Sequence, residues 1–166
     1  MLKSPPGETR IPCRLKHDKT FQPCHAESGD EHYANGIFEF NITRLLAFID
    51  TCTARFPVES VLAADFPAYG SSHLNEETVQ TADLSRPILL AEIAPGRFNV
   101  IDGNHRLARA RRDGVQTVPA RRVFCPNHVP FLTSEWAYEK YVDYWNSKLE
   151  DLPLRKTTRK RRKGVA

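Results

Sequence analysis

Apolar positions recur in two rhythms along the chain, and the rhythm changes at glycine, proline and asparagine. Ile42, Leu45, Leu46, Ile49 and Cys52 fall at helical spacing. Asn41 stands before them as a cap, and Pro57 predicts an end near Phe56. Just upstream, Ile37–Phe40 has the aromatic and β-branched character of a short strand. Val58–Phe66 suits either a strand or a short helix, and 67–72 reads as a loop. Asn75, followed by Glu76 and Glu77, opens a short helix that ends near Asp83.

Arg86–Ile93 is the best buried strand, with Pro87 at its start, where a missing N–H is tolerated. A turn at Ala94-Pro95-Gly96 leads into a second strand, Arg97–Asp102, so the two predict a hairpin. Gly103 breaks that strand, and a helix follows from Asn104 to Asp113, stopped by Gly114. Val115–Val123 returns as a strand, whose Pro119 suggests an edge or an irregularity. The last helix runs from Ser134 to Leu149, capped by Thr133 or Ser134. Its stripe of Tyr138, Tyr141, Trp145, Leu149 and Leu152 reads as an aromatic face packed on a sheet rather than a platform for stacking bases.

Three segments follow from this pattern. Residues 1–35, rich in Pro, Gly, His and charge, show no periodicity and read as a flexible segment. Residues 36–153 form the domain, a length that suits one core. Residues 154–166 form a basic tail containing Arg155, Lys156, Arg159, Lys160, Arg161, Arg162 and Lys163. The chain carries a net charge of +4, but residues 1–154 hold 17 basic and 20 acidic side chains, a net of −3. The basic character therefore belongs to the tail, which reads as a sequence-blind arm for DNA or as a solubilising extension. No apolar run approaches the ~20 residues of a membrane span. With no apolar core typical of a signal peptide near the start, a cytoplasmic location without a membrane partner is expected. Cys13, Cys24, Cys52 and Cys125 lack the spacing of a disulfide framework, and Cys13, His17, Cys24, His25 and His32 lack that of a zinc site. Cys125 reads as a packed hydrophobe, and His73 is a loop histidine with nothing to place it.

Chemistry concentrates where the second hairpin strand meets its helix. A helix N-terminus presents free N–H groups and partial positive charge, and Gly103 lets a ligand approach the backbone closely. Together they predict a phosphate cradle formed by Gly103, Asn104, His105 and Arg106, with Arg109 adding a contact. Asp102 is placed to hold Mg²⁺ on the phosphates or to take a proton, and His105 to donate or shuttle one. Between Arg86 and Val123, eight arginines face only Glu92, Asp102 and Asp113, an island of +5 that suggests an anionic partner. The competing reading makes Asp102 a cap and the arginines a solvated face.

The stretch from Arg86-Pro-Ile-Leu-Leu through Phe98-Asn-Val-Ile-Asp-Gly-Asn-His-Arg to Gly114-Val-Gln-Thr-Val-Pro-Ala resembles the ParB/sulfiredoxin superfamily over about residues 84–123. The resemblance implies an α+β fold, a small mixed β-sheet with flanking helices, and a nucleotide-phosphate site at this loop, for a ligand of the ATP, CTP or ADP class with Mg²⁺. The box of the CTP-binding ParB branch is Gly-Glu-Arg-Arg, and only Gly103 and Arg106 match it. Sulfiredoxin has Gly-Cys-His-Arg, and Asn104 stands in place of its catalytic thiol. The free-serine-kinase branch has Asp-Gly-His-His-Arg, matched at Asp102, Gly103, His105 and Arg106. That branch implies phosphoryl transfer or nucleotide hydrolysis, with an upstream glutamate as base, for which Glu39 is the candidate. A DNA-associated accessory protein or ParB-like nuclease using the tail is the alternative expectation. The identity of the nucleotide, the acceptor and the oligomeric state are not encoded in these motifs.

Overall fold

The computed structural model describes residues 10–67 and 74–152. In chain order the elements are β1 (His32–Asn35), β2 (Phe38–Asn41), α1 (Ile42–Thr51), β3 (Val58–Leu62), α2 (Glu76–Thr81), β4 (Ile88–Ala94), β5 (Arg97–Asp102), α3 (Asn104–Arg112), β6 (Thr117–Val123) and α4 (Glu135–Glu150). Short 3-10 turns follow α1 and β3 and precede α4. The strands form two sheets: an antiparallel β1–β2 hairpin, and a four-stranded mixed sheet in the order β3-β6-β4-β5. The architecture is therefore α+β with small sheets and flanking helices. No helix among the described residues is long and apolar enough to cross a membrane.

The helix starts follow side-chain capping. Asn41 accepts from the Arg44 amide at 3.0 Å, Asn75 from Thr78 at 3.0 Å and Ser134 from Ala137 at 3.1 Å. Each satisfies an amide that has no intrahelical acceptor. All seven residues of β4 are buried, because the strand is interior and covered on both faces. Leu89, Ala91 and Ile93 join a core with the β1–β2 hairpin, α1 and α4; Ile88 and Leu90 join a second core with β3, α3 and β6. The period of two along β4 thus divides one apolar run between two cores.

Two expectations need correction, and one open alternative is settled. β1 falls inside the segment read as flexible, and the chain before it, from Arg10, is an ordered strap laid along α4. Leu15 donates to Asn146 Oδ1 and accepts from Asn146 Nδ2, both at 2.9 Å; Trp145 Nε1 donates to the Cys13 carbonyl at 2.9 Å. The Asp18 amide donates to the Tyr138 hydroxyl at 2.7 Å, and Phe21 stacks on the Tyr138 ring at 3.9 Å. The aromatic stripe of α4 accordingly serves the strap as well as the sheet. Pro119 does not mark an edge strand, since β6 pairs with both β3 and β4. It is tolerated because the parallel ladder to β4 begins only at Ala120, leaving Pro119 paired on the β3 side alone. Finally, Val58–Leu62 is a strand, and the ambiguity ends in a 3-10 turn at Ala63–Asp65. The tail positions Arg155, Lys156, Arg159, Lys160, Arg161, Arg162 and Lys163, together with His73, lie outside the described residues.

Candidate functional site

The hairpin β4–β5 delivers Asp102 to Gly103, whose φ of 102° lies in the left-handed region. A Cβ there would sit 2.6 Å from Ile88 Cγ2 and 2.9 Å from Arg106 Nη2. Only glycine fits both the backbone and the space. The first helical bond of α3 runs from the Leu107 amide to the Gly103 carbonyl at 3.0 Å. The amides of Asn104, His105 and Arg106 therefore precede any intrahelical acceptor. α1, α2 and α4 begin under a side-chain cap, whereas α3 begins under none.

Arg106 lies beneath this turn, 9% exposed. Its Nη2 donates to Asp102 Oδ2 at 2.5 Å. Among the described residues its Nε finds no hydrogen-bond partner. Arg106 is thus neither a solvated surface charge nor a free arm; it is a buried cation, matched by one carboxylate and keeping one donor unspent. Asp102 is correspondingly engaged by a guanidinium. His105 Nε2 accepts from the Asn75 amide at 3.3 Å, which ties the start of α3 to the start of α2.

Other expected members are directed elsewhere. Arg109 donates to the Ala82 carbonyl at 2.8 Å and to Asp113 Oδ2 at 3.2 Å, so its guanidinium closes the end of α2. Those bonds to Arg112 and Arg109 hold the Asp113 carboxyl below the usual carboxylate range. Glu39 pairs with Ala34 in the hairpin register, one position from the Tyr33–Phe40 pair, so it points to the opposite face from Tyr33. Tyr33 is the residue that reaches the loop, accepting at its hydroxyl from Asn104 Nδ2 at 3.5 Å. Glu39 instead accepts from Thr133 at 2.8 Å and meets His32 Nδ1 at 3.2 Å. The structure does not bring it to Asp102.

The arginine island is also matched in three dimensions. Arg112 pairs with Glu76 at 3.1 Å, Arg121 with Asp50 at 3.3 Å, and Arg122 with Glu59. Arg111 donates to the carbonyls of Ala63 and Phe66. These three acids come from outside the segment and offset three of the local excess of +5 counted along the sequence.

Among the described residues no group of three or more His, Cys, Asp and Glu side chains gathers as a metal site. At the loop the donor set is one carboxylate already paired with Arg106. These residues alone do not fit a protein-held Mg²⁺. No activated thiol stands at the loop either: burial pushes the Cys125 thiol up to about 12 and raises Cys24. Sequence reasoning missed Tyr33, Asn35 and Asn99, which share a cleft with Asn104. Tyr33 and Asn35 lie two apart in β1 and so share a face, but His32–Asn35 has no polar–apolar alternation to single them out. Comparison of the chain with protein-family models, with curated proteins and with solved structures finds no match in any of the three.

Proposed function

We propose that this protein binds a nucleotide through its phosphates at the loop Asp102–Arg106, in a fold of the ParB/sulfiredoxin kind. The observation that carries the reading is the uncapped start of α3 on Gly103, with the buried Arg106 beneath it holding an unpartnered Nε. Amides without an intrahelical acceptor and a desolvated guanidinium together favour an anion with several oxygens. The Asp102-Gly103-Asn104-His105-Arg106 box supports the same reading through its likeness to the free-serine-kinase branch. On this reading Asp102 and the ligand compete for Arg106, and Asp102 is the acid within the loop available for hydrolysis or phosphoryl transfer.

The test is calorimetric titration of the full chain with ATP, CTP, ADP and GTP, each with and without Mg²⁺. Saturable binding of at least one is expected, weakened by salt and lost in Arg106→Ala. Absence of binding by all four overturns the reading. Asp102→Asn then separates binding from turnover. The neutral amide competes less for Arg106, so phosphate affinity should hold or rise, whereas any release of inorganic phosphate should fall by about two orders of magnitude or more.

A further inference from the structure

A cleft of about 200 Å³ opens beside the first residue of α3, lined by Tyr33, Asn35, Phe66, Phe98, Asn99 and Asn104. It exists because β5 is the outer strand of its sheet. β1 runs past that free edge without joining the ladder, and the side-chain bond from Asn99 Nδ2 to Asn35 Oδ1, 3.2 Å long, spans the gap. Phe66 and Phe98 pack against the core of the α3 face and present aromatic surface to the opening.

The chemistry of this lining is narrow. Three primary amides and a phenol line it, paired with one another from Asn99 to Asn35 and from Asn104 to Tyr33 but each amide keeping a second N–H and a second carbonyl lone pair, and two phenyl rings add flat apolar surface. Among the described residues no charged side chain lines the cleft, so neither a phosphate nor a carboxylate would find a counter-ion in them. A flat, neutral group with hydrogen-bonding edges and a π-face is what such walls complement, as amide side chains and aromatic rings do for bases elsewhere. The volume is below the ~300–1,000 Å³ typical of sites for drug-sized ligands, and suits a single ring system. One face of the Phe98 ring is covered by the Arg122 guanidinium 4.8 Å from its centroid, which fixes the ring's position. Asn104 belongs to both places at once, being the first residue of α3 and part of the cleft wall.

We infer that this cleft takes the nucleobase of a nucleotide whose phosphates lie at the start of α3. The inference rests on the phosphate-site reading above. It makes base discrimination a property of Asn35, Asn99 and Asn104, separate from phosphate affinity.

The experiment compares inorganic triphosphate with ATP, CTP, GTP and UTP on the full-length protein by calorimetry. It is repeated with Asn99→Ala and Asn35→Ala, each first checked for an unchanged melting temperature. At least one nucleotide should bind tenfold or more tightly than triphosphate, and that advantage should shrink below threefold in one or both variants. Two results overturn the base site while leaving the phosphate reading intact. In one, triphosphate binds as tightly as every nucleotide. In the other, a nucleotide's advantage survives both substitutions. Failure of triphosphate and nucleotides alike removes the phosphate reading itself, and this inference with it.

Discussion

At Gly103 two constraints coincide, a left-handed backbone and a contact too close for a methyl group. A residue with a Cβ costs about 1–2 kcal/mol in that conformation. Crowding of Ile88 adds about 1–3 kcal/mol. Gly103→Ala should therefore lower the melting temperature by roughly 5–15 °C, read by circular dichroism. A smaller change would mean that the turn relaxes freely and is no rigid cradle. His128 presents a different residue-level consequence. It is fully buried beside Tyr141, with Nε2 2.9 Å from the phenol oxygen, and burial pushes its pKa down to about 3. The folded state holds this imidazole neutral, whereas the unfolded chain protonates it near pH 6.5. The unfolded state thus binds more protons between about pH 6.5 and 3, so the stability due to this group is complete above 6.5 and declines as pH falls through that window. Urea melts at pH 7.5 and 5.0 should show the loss in the wild-type protein. His128→Gln should be less stable at pH 7.5 but should lose less between the two pH values.

At the level of elements, legibility tracked how local the determining information is. The hairpin β4–β5, the glycine turn and α3 could be read from an apolar run, a Pro-Gly turn and a glycine placed between two periodicities. The caps Asn41, Asn75 and Ser134 were likewise visible, because a cap acts on an amide three residues away. The strap was not. Residues 13–21 have no period, since the bonds that hold them are made to Asn146, Trp145 and Tyr138 on a distant helix. At the site, the identities of Asp102, Gly103, His105 and Arg106 pointed to their common turn, but the pairing of Arg106 with Asp102 and of Arg109 with Ala82 depends on packing. Glu39 shows the same limit: it lies on a strand next to the loop, and a register of one residue turns it away. The strap can be tested on its own. Asn146→Ala removes both bonds to Leu15, at a cost of about 1–3 kcal/mol. Limited trypsin digestion should then cut at Lys16 or Lys19 several-fold faster than in the wild type, while α4 stays protected. Equal rates would show that the strap does not depend on the two Leu15 bonds.

For the whole molecule, two apolar cores share β4 as a common wall, which makes the sheet the part that every helix depends on. The strap adds a layer to one core only and joins positions 131 residues apart in sequence. That separation has a kinetic meaning. Closing a contact between such distant positions costs about 3 kcal/mol more in chain entropy than closing a four-residue turn. The strap also has nothing to dock on until α4 has packed against the sheet. It should be the last part of the chain to assemble and the first to leave. In stopped-flow experiments Asn146→Ala should accelerate unfolding and leave the refolding rate nearly unchanged, whereas Val100→Ala, in the hairpin, should slow refolding. The order of events written in this topology thus runs from the middle of the chain outward, with residues 10–21 closing over a body that is already formed.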